Sequence, residues 1–292
     1  MRSLLFVPGD SERKQAKALA AGADALILDL EDSVAPSRKS AAREMSLAFL
    51  QATRPITIRP RLLVRINSLE TPYWGDDLAG VMAGQPDAIL LPKPRNGDDV
   101  QRLSVALDHA EAKVGTTVGT TRIVVLATEV PVSVLQMPSY IDCSTRMDGL
   151  TWGAEDLGAE IGAVANRRAD GTWTSPFQLA RDLALFTATA AKVQPIDTVF
   201  VNFRDIAGLQ RECDEAARDG FTGKLAIHPD QVAVINAAFT PSKADIARAQ
   251  QILDLFAANP GAGALSLDGQ MIDIPHFRHA ERTIARAKLA QR

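Results

Sequence analysis

The sequence is poor in cysteine and contains no long hydrophobic segment. Two cysteines, Cys143 and Cys213, occur among 292 residues and form no CxxC pair. No disulfide framework is therefore predicted, and a reducing cytoplasm is the expected setting. No apolar stretch approaches the roughly 18 residues that a membrane helix needs, which predicts a soluble protein with no membrane partner. The apolar run before Pro8 is too short for a secretory signal and is typical of a first strand.

The sequence also lacks the motifs that commonly bind nucleotides or zinc. It has no GxxxxGKS/T loop and no GxGxxG motif after a strand, so a phosphate-bearing cofactor would be held by side chains. It has no HExxH motif, and no set of cysteines and histidines has zinc spacing. The formal net charge of −3 argues against binding of nucleic acid, although it is compatible with a local basic pocket for a small anion.

Eight short apolar runs alternate with longer segments of helical period. Continuous apolar runs suit strands covered on both faces, and the alanine-rich amphipathic segments between them suit crossover helices. Eight such units predict a (β/α)₈ TIM barrel over residues 1–240, with an open doubly wound sheet as the alternative. The predicted strands are SLLFVPG, ALILDL, LLVRIN, AILLPK, RIVVLATE, MDGLTWG, DTVFVN and KLAIHP, and the clearest predicted helices span 11–21, 37–51, 98–114 and 176–193.

Residues 241–292 do not continue this alternation and are predicted to form a separate C-terminal extension. A long amphipathic helix follows Ser242, which has the character of an N-cap, and the chain then turns at Pro260. The segment ALSLDGQMIDIP is typical of a small hairpin, and a basic helix is predicted from His276 to Arg292. We expect this extension to serve either as a structural clasp or as a lid over the barrel mouth.

Polar residues follow the predicted strands, and a TIM barrel places its active site at the carboxyl ends of its strands. Strand ends also meet solvent, which explains some of these residues without a function. Glu129 and Asp156 follow the fifth and sixth strands, which would be neighbours about 4.8 Å apart. Two carboxylates so close favour a cation between them, and ligands that are all oxygen favour Mg²⁺. The other polar residues are Asp10, Asp29, Glu31, Asp32, Arg65, Asn67, Lys93, Glu155, Asn202 and His228.

Four basic residues lie near the N-terminal ends of the first two predicted crossover helices. These helix ends face the same rim as the carboxyl ends of the strands, so the four side chains could bind the phosphates of an anionic substrate. The simpler alternative is that each is an ordinary solvated charge of a helix. The four residues are Arg13, Lys17, Lys39 and Arg43.

The stretch TWGAEDLGAEIG carries three carboxylates that we do not expect to be equivalent. Gly153 allows the backbone to turn at the strand end and to approach the site closely. Asp156 is the predicted metal ligand, and Glu160, one helical turn further on, is predicted to be a solvated or packing charge. Glu155 either supports the site from behind or favours the positive end of the helix.

Eight motifs in order along the chain resemble one family. They are RSLLFVPG, ILDLEDSVAPSRKSAAR, VRINS, LPK, TE, TWGAEDLGAEIG, GFTGKLAIHPDQV and GQMIDIPHFRHAERTIARA, and they run from Arg2 to about Ala287. Together they resemble the citrate lyase β-subunit-like branch of the HpcH/HpaI aldolase family, which includes malyl-CoA and citramalyl-CoA lyases. The resemblance implies a Mg²⁺-dependent TIM barrel that makes or breaks a carbon–carbon bond β to a CoA or acyl-carrier thioester, with a 2-oxo acid as the other product.

The resemblance also implies roles for individual residues. Glu129 and Asp156 match the metal ligands, and Arg65 matches the arginine that contacts the substrate carbonyl. Asp273 matches a catalytic carboxylate that a neighbouring subunit can supply, which implies a homo-oligomer, a trimer or a hexamer. Further matches are Glu31 and Asp32 near the metal, and Arg13, Lys17, Lys39 and Arg43 at the CoA phosphates and pantetheine. The metal glutamate stands in LATEVP, where many members have IET, which leaves the substrate open.

Other activities are compatible with the same residues. A metal-dependent aldolase would act on free 2-oxo acids without CoA, and a thioesterase or a malate synthase-type enzyme would process the same malyl thioester differently. A non-catalytic subunit of a lyase complex, or a ligand-binding protein, would bind CoA without turnover. The combination of Arg65, Glu129, Asp156 and Asp273 argues against a non-catalytic role, and the four basic residues together with the MIDIP segment favour a thioester substrate over a free 2-oxo acid.

Overall fold

The computed structural model describes residues 1–290. The chain forms two compact units, Met1–Asn236 and Ala237–Arg292. Among the described residues, no helix is both long and apolar enough to cross a membrane. The predicted domain boundary after residue 240, and the role of the extension as a lid, remain predictions.

The first unit is a closed barrel of eight parallel strands in sequential order. The strands are β1 (Ser3–Pro8), β2 (Ala25–Asp29), β3 (Arg61–Arg65), β4 (Ala88–Pro92), β5 (Arg122–Ala127), β6 (Met147–Trp152), β7 (Gln194–Asp197) and β8 (Gly223–Ala226). β1 pairs with both β2 and β8, which closes the sheet on itself. The predicted TIM barrel is therefore confirmed, and the alternative of an open sheet is wrong.

Helices follow the strands as the periodicity predicts. They are α1 (Glu12–Leu19), α2 (Lys39–Thr53), α3 (Trp74–Val81), α4 (Gly97–Lys113), α5 (Pro131–Leu135), α6 (Ala154–Glu160), α7 (Ser175–Ala190), α8 (Ile206–Asp219) and α9 (Pro229–Ala238). α4 begins where the Asn96 side chain accepts hydrogen bonds from the backbone N–H groups of Asp98 and Asp99, which satisfies two of the free donors of its first turn.

The interior of the barrel is filled by apolar side chains from alternate strand positions. Successive residues of a strand point to opposite faces, so one set fills the barrel and the other packs against the helices. Burial of each large aliphatic side chain contributes about 1.5–3 kcal/mol. The inner set comprises Leu4, Ala25, Ile27, Leu63, Ala88, Leu90, Val124, Leu126, Ile196 and Leu225.

The position of the seventh strand differs from the prediction. We predicted it at DTVFVN, but β7 ends at Asp197, and Val201 in that apolar run is half exposed. The hydrophobicity pattern predicted the wrong segment because β7 contains Pro195, which cannot donate a backbone hydrogen bond to a neighbouring strand. The polar residue after β7 that lines the cavity is therefore Thr198 rather than Asn202.

The second unit is a small helix–hairpin–helix. α10 (Lys243–Ala258) begins at a capping box in which Ser242 and Asp245 exchange hydrogen bonds, as expected for the predicted N-cap. β9 (Ala264–Leu267) and β10 (Gln270–Asp273) form the predicted antiparallel hairpin. α11 (Ile274–Ala290) begins two residues before the predicted start, and the last two residues of the predicted helix lie outside the described residues. The hydrophobic core of this second unit consists of Ala249, Ile252, Phe256, Ile272 and Ala280.

Candidate active site

A cavity of about 300 Å³ lies at the carboxyl ends of the barrel strands. One part of its wall is charged and contains Asp29, Arg65, Glu129 and Asp156. The remaining wall is largely apolar. Such a division suits a small ligand that carries charged oxygens at one end and carbon groups at the other. The apolar residues include Phe6, Pro8, Leu126, Trp152, Val199, Leu225 and Ile227.

Arg65 is held in one orientation by Asp29. The two residues end β3 and β2 in register, and Arg65 donates from Nε and Nη2 to the two Asp29 oxygens at 2.7 and 2.8 Å. Burial alone would lower the pKa of Arg65, but the Asp29 carboxylate more than offsets this and the pKa is raised. The guanidinium is thus a permanent and fixed positive charge at the cavity wall.

Lys93, which follows β4, connects the acidic groups of three strands. Its Nζ lies 2.7 Å from Glu31 Oε1, 2.9 Å from Asp32 Oδ2 and 3.3 Å from Asp156 Oδ1. Its backbone N–H donates to Glu129 Oε2 at 2.7 Å. Lys93 adopts a left-handed φ of 48° although it precedes Pro94, an unfavourable conformation that functional sites often retain.

Glu129 is buried against the end of β6. A Cβ atom on Gly153 would lie 2.8 Å from Glu129 Cγ, so the carboxylate side chain packs where only glycine leaves room. Gly153 itself has an extended φ of −120°, so space rather than backbone conformation requires glycine here. Burial raises the pKa of Glu129 well above its usual value, and the nearby carboxylates of Glu31 and Asp156 raise it further.

Glu31 is also buried, and one of its oxygens lacks a hydrogen-bond partner. Burial raises the pKa of Glu31 to about 7, although Arg65 and Lys93 oppose the shift. Arg65 Nη1 lies 3.1 Å from Glu31 Oε2, yet that oxygen receives no aligned hydrogen bond. A buried acceptor left in this state is a candidate for contact with a water or with a ligand.

The charged side of the cavity fits a divalent cation. Among residues 1–290, no three or more Asp, Glu, His or Cys side chains are arranged as a metal cage. Mg²⁺ does not need one, since it keeps several waters and commonly takes one or two carboxylates plus substrate oxygens. Glu129 and Asp156 can provide such a pair, and the local charge favours a cation. Five carboxylates, Asp29, Glu31, Asp32, Glu129 and Asp156, surround Arg65 and Lys93.

The four basic residues predicted at CoA divide into two pairs. Arg13 and Lys17 are exposed on α1. Lys39 is buried, and its Nζ donates to the backbone oxygens of Leu30 and Glu31 at 2.8 Å each. Arg43 donates to Asp77 Oδ1 at 2.8 Å. Lys39 therefore supports the loop after β2 and Arg43 binds to α3, and the CoA role of all four residues remains a prediction.

Asp273 lies at the end of β10 in the second unit. Its Oδ1 is 2.6 Å from Nδ1 of His276, in the first turn of α11. The hydrogen bond from His276 holds the pKa of Asp273 below its usual value. Asp273 is therefore a carboxylate with a histidine neighbour, and its catalytic role remains a prediction.

The sequence placed Asp29 and Lys93 among the polar residues at strand ends, in a ring interpreted as a metal site with anion-binding cations, but it gave neither residue an individual role. The register of β2 with β3 places Asp29 beside Arg65. The available signal in the sequence was that the last residues of these two neighbouring strands carry opposite charges. No sequence signal indicated the contacts of Lys93, because they join residues from four separate loops.

The chain matches two family models and is similar to several known proteins. Residues 2–229 match the family described as HpcH/HpaI aldolase/citrate lyase, and residues 178–290 match C-C bond lyase of the TIM-barrel fold. Citrate lyase subunit beta of Leuconostoc mesenteroides subsp. cremoris is 32% identical over 285 residues, covering 97% of this chain and 92% of that protein. The (3S)-malyl-CoA thioesterase of Cereibacter sphaeroides is 32% identical over 291 residues, covering 98% and 94%.

A solved structure is similar over the whole chain. CitE from Mycobacterium tuberculosis, in complex with magnesium, acetoacetate and coenzyme A, matches with a TM-score of 0.75 and 31% sequence identity. The match covers 99% of this chain and 100% of that chain. It therefore spans both compact units.

Proposed function

Since this chain belongs to the HpcH/HpaI aldolase/citrate lyase family and is a carbon–carbon lyase, we propose that it cleaves a β-hydroxyacyl-CoA thioester. The products would be acetyl-CoA or a related thioester and a 2-oxo acid. The observation that carries the proposal is the fixed Arg65 guanidinium in the same cavity as Glu129 and Asp156. That arrangement offers a positive group for one oxygen of the substrate and an acidic pair for a cation at another.

The proposed cofactor is Mg²⁺, held by Glu129 and Asp156. The carboxylate-rich side of the cavity supports this assignment, as does the nearby Glu31 Oε2, which has no hydrogen-bond partner. CitE from Mycobacterium tuberculosis, moreover, is described in complex with magnesium. When bound, the ion would act as a Lewis acid for the oxygens of the 2-hydroxy acid portion and would orient it. Glu31 and Asp32 would lie near the ion and contact it through water.

Arg65 would stabilise the charge that the reaction places on the thioester. Cleavage transfers the hydroxyl proton to a base or to water, turns the hydroxyl carbon into the carbonyl of the 2-oxo acid as the carbon–carbon bond breaks, and leaves the electron pair on the thioester as an enolate. A donor already aimed at the enolate oxygen lowers this barrier without reorganising, and loss of one such donor typically costs about 2.7–4 kcal/mol. Asp29 contributes by preventing the guanidinium from turning away.

The enolate must then receive a proton at its α-carbon. We propose that Asp273 delivers this proton, from the same chain or from a neighbouring subunit. Its carboxylate is paired with His276, which could exchange protons with it. For recognition of CoA we propose Arg13 and Lys17, since both are exposed.

A thioesterase is the second candidate, because one relative carries that activity in its name. It would use the same pocket to hold a malyl thioester while water attacks the thioester carbonyl. The two activities differ in products: the lyase releases acetyl-CoA and a 2-oxo acid, whereas the thioesterase releases free CoA and a hydroxy acid.

A product panel separates these functions. Malyl-, citramalyl-, methylmalyl- and citryl-thioesters are incubated with the purified chain, with Mg²⁺ and with a chelator. The lyase is expected to release a 2-oxo acid and an acyl thioester in equal amounts, only with Mg²⁺. Free CoA without a 2-oxo acid would instead identify the thioesterase. Cleavage of free 2-oxo-acid aldols alone would identify a CoA-independent aldolase and contradict both.

We further propose that the protein works in the cytoplasm as a homo-oligomer, a trimer or a hexamer. The resemblance of the Asp273 segment to the family supports the oligomer, because in members of that family a neighbouring subunit can supply this carboxylate to the site. Light scattering coupled to size-exclusion chromatography tests the assembly, and a monomer at working concentration would contradict it.

A further inference from the structure

Trp152, the last residue of β6, is one member of a closed ring of side-chain contacts. Trp152 Nε1 donates to Asp197 Oδ1 at 2.8 Å, and Lys224 Nζ donates to Asp197 Oδ2 at 2.6 Å. Lys224 Nζ also donates to Glu212 Oε1 at 2.7 Å. These contacts lead from the cavity wall to β7, β8 and α8.

The ring returns to Trp152 through a small hairpin. Glu212 Oε2 is 2.5 Å from Arg167 Nη2, and Arg167 Cζ lies 3.5 Å above the ring of Trp173. Trp173 in turn meets Trp152 edge to face, with ring centroids 4.9 Å apart. Residues 166–174, in which Arg167 pairs with Trp173 as an isolated bridge, are thereby attached to the barrel wall.

Stability alone does not account for this arrangement. Asp197 and Lys224 are fully buried, and buried ion pairs often contribute no more than well-packed apolar residues of similar volume. What an ion pair provides is direction. The indole N–H donates to Asp197 Oδ1, so a flipped Trp152 would leave a buried donor without this partner, which is unfavourable.

The orientation of Trp152 matters because the two residues after it add no side-chain anchor to the end of β6. Gly153 is held through its backbone, which exchanges hydrogen bonds with Thr128 Oγ1 at 3.1 and 3.3 Å. Neither Gly153 nor Ala154 has a side chain long enough to hold the strand end as well. Trp152 is therefore the last large buried side chain before Asp156, and it also forms part of the cavity wall. The hairpin adds a second contact, since Asn166 Nδ2 donates to Glu155 Oε1 at 2.8 Å.

We propose that Lys224 and Glu212 are positioning residues for the site: through Asp197 and Arg167 they fix Trp152 and residues 166–174, and so aim the β6 end that carries Asp156. The proposal rests on the proposed function for its kinetic consequence. Neither residue lines the cavity. Their effect would reach the substrate only through Trp152 and the backbone after it.

The test uses the full chain with Trp74→Phe, so that Trp152 and Trp173 are the remaining tryptophans. Lys224→Met and Glu212→Gln are introduced separately, the second because it preserves shape if the first impairs folding. Glu111→Gln is the matched control, since it also removes a buried carboxylate paired with a cation, Arg146, away from this ring. Near-UV circular dichroism, acrylamide quenching, kcat and KM are measured.

We expect both ring variants to lose the near-UV signal of the tryptophan pair and to become at least about twofold more quenchable. Loss of alignment should lower kcat about tenfold while KM for the thioester changes less than about twofold. Glu111→Gln should change stability but neither the tryptophan signal nor kcat. A folded Lys224→Met or Glu212→Gln protein with parental tryptophan signal and parental kcat would overturn the proposal. Failure of the proposed function is distinct, because it appears as absence of thioester cleavage in the parent.

Discussion

Asp29 and Arg65 end neighbouring strands at the same level of the barrel and form a two-point ion pair at 2.7 and 2.8 Å. The pair converts a flexible cation into a fixed one at the cavity wall. It also pairs the two buried charges with each other, so neither group depends on water in the cavity.

Asp29→Asn should therefore impair catalysis more than binding. Asparagine cannot accept both guanidinium hydrogen bonds, so Arg65 should lose its orientation, and kcat should fall about 100-fold. Asp24→Asn is the control, because it removes a similar two-point pair with Arg2 at the start of β1, away from the cavity. Steady-state kinetics of both variants, with melting temperatures, make the comparison. Equal kcat in the two variants would show that the Asp29 pair is only structural.

Asp156→Ala should abolish lyase activity and leave the barrel folded. The side chain is about one-third exposed, so its removal creates no cavity in the core. Mg²⁺ binding, measured by calorimetry, should be lost together with turnover. Glu160→Ala, on the exposed face of the same helix, should retain both. Retained turnover of Asp156→Ala at saturating Mg²⁺ would exclude Asp156 as a metal ligand.

Gly153→Ala should disturb the site by crowding rather than by backbone strain. The new Cβ would lie 2.8 Å from Glu129 Cγ, which should displace the carboxylate and cost about 1–3 kcal/mol. The matched control is Gly158→Ala in α6, where the nearest atom would be 3.6 Å away. That change should stabilise the helix by about 0.5–1 kcal/mol. Thermal unfolding and Mg²⁺ titrations measure both effects, and a Gly153→Ala protein with unchanged Mg²⁺ affinity would contradict the packing argument.

The Glu111 carboxylate should make stability depend on pH in acid. Burial would raise its pKa, but hydrogen bonds from Arg146 and from the backbone of Thr121 and Gly119 lower the pKa to about 2. Because the folded pKa lies below the unfolded one, this stabilisation is complete above about pH 4.5 and is lost as pH falls towards 2. We expect a contribution on the order of 1–3 kcal/mol at pH 7.

Urea unfolding of the parent and of Glu111→Gln between pH 3 and pH 7 measures this contribution. The two proteins should differ most at neutral pH and converge in acid, where the parent carboxylate becomes protonated. A difference that stays constant across the range would mean that the charge of Glu111 contributes nothing.

Asp273→Asn should reduce kcat much more than the affinity for the CoA ester. Asparagine keeps the shape of the side chain but cannot carry the proton that the enolate requires. His276→Ala is informative beside it, because it removes the neighbour that lowers the pKa of Asp273. Rates and KM are measured for both variants. An equal loss of kcat and affinity in Asp273→Asn would instead indicate a structural clasp.

Much of the fold was predictable because its signals are local. Strand runs, helix periods, the Ser242 cap and the C-terminal hairpin each depend on residues close in sequence. The seventh strand was predicted at the wrong residues because it contains Pro195, which is untypical of a strand, whereas the apolar run after Asp197 has the composition of one. The strands that Glu129 and Asp156 follow, β5 and β6, are adjacent in the barrel, as predicted.

The sequence by itself determined the eightfold barrel, its C-terminal extension, the family and the residues available at the strand ends, since these depend on periodicity and motif order. The tertiary structure alone decided which charges meet. Arg65 faces Asp29 through strand register, and Lys93 contacts carboxylates from separate loops. Lys39 turns towards the loop after β2, and Arg43 turns towards Asp77 of α3, instead of remaining exposed. The physical reason is that such pairings depend on closure of the barrel, which brings residues distant in sequence within hydrogen-bond range and removes them from water.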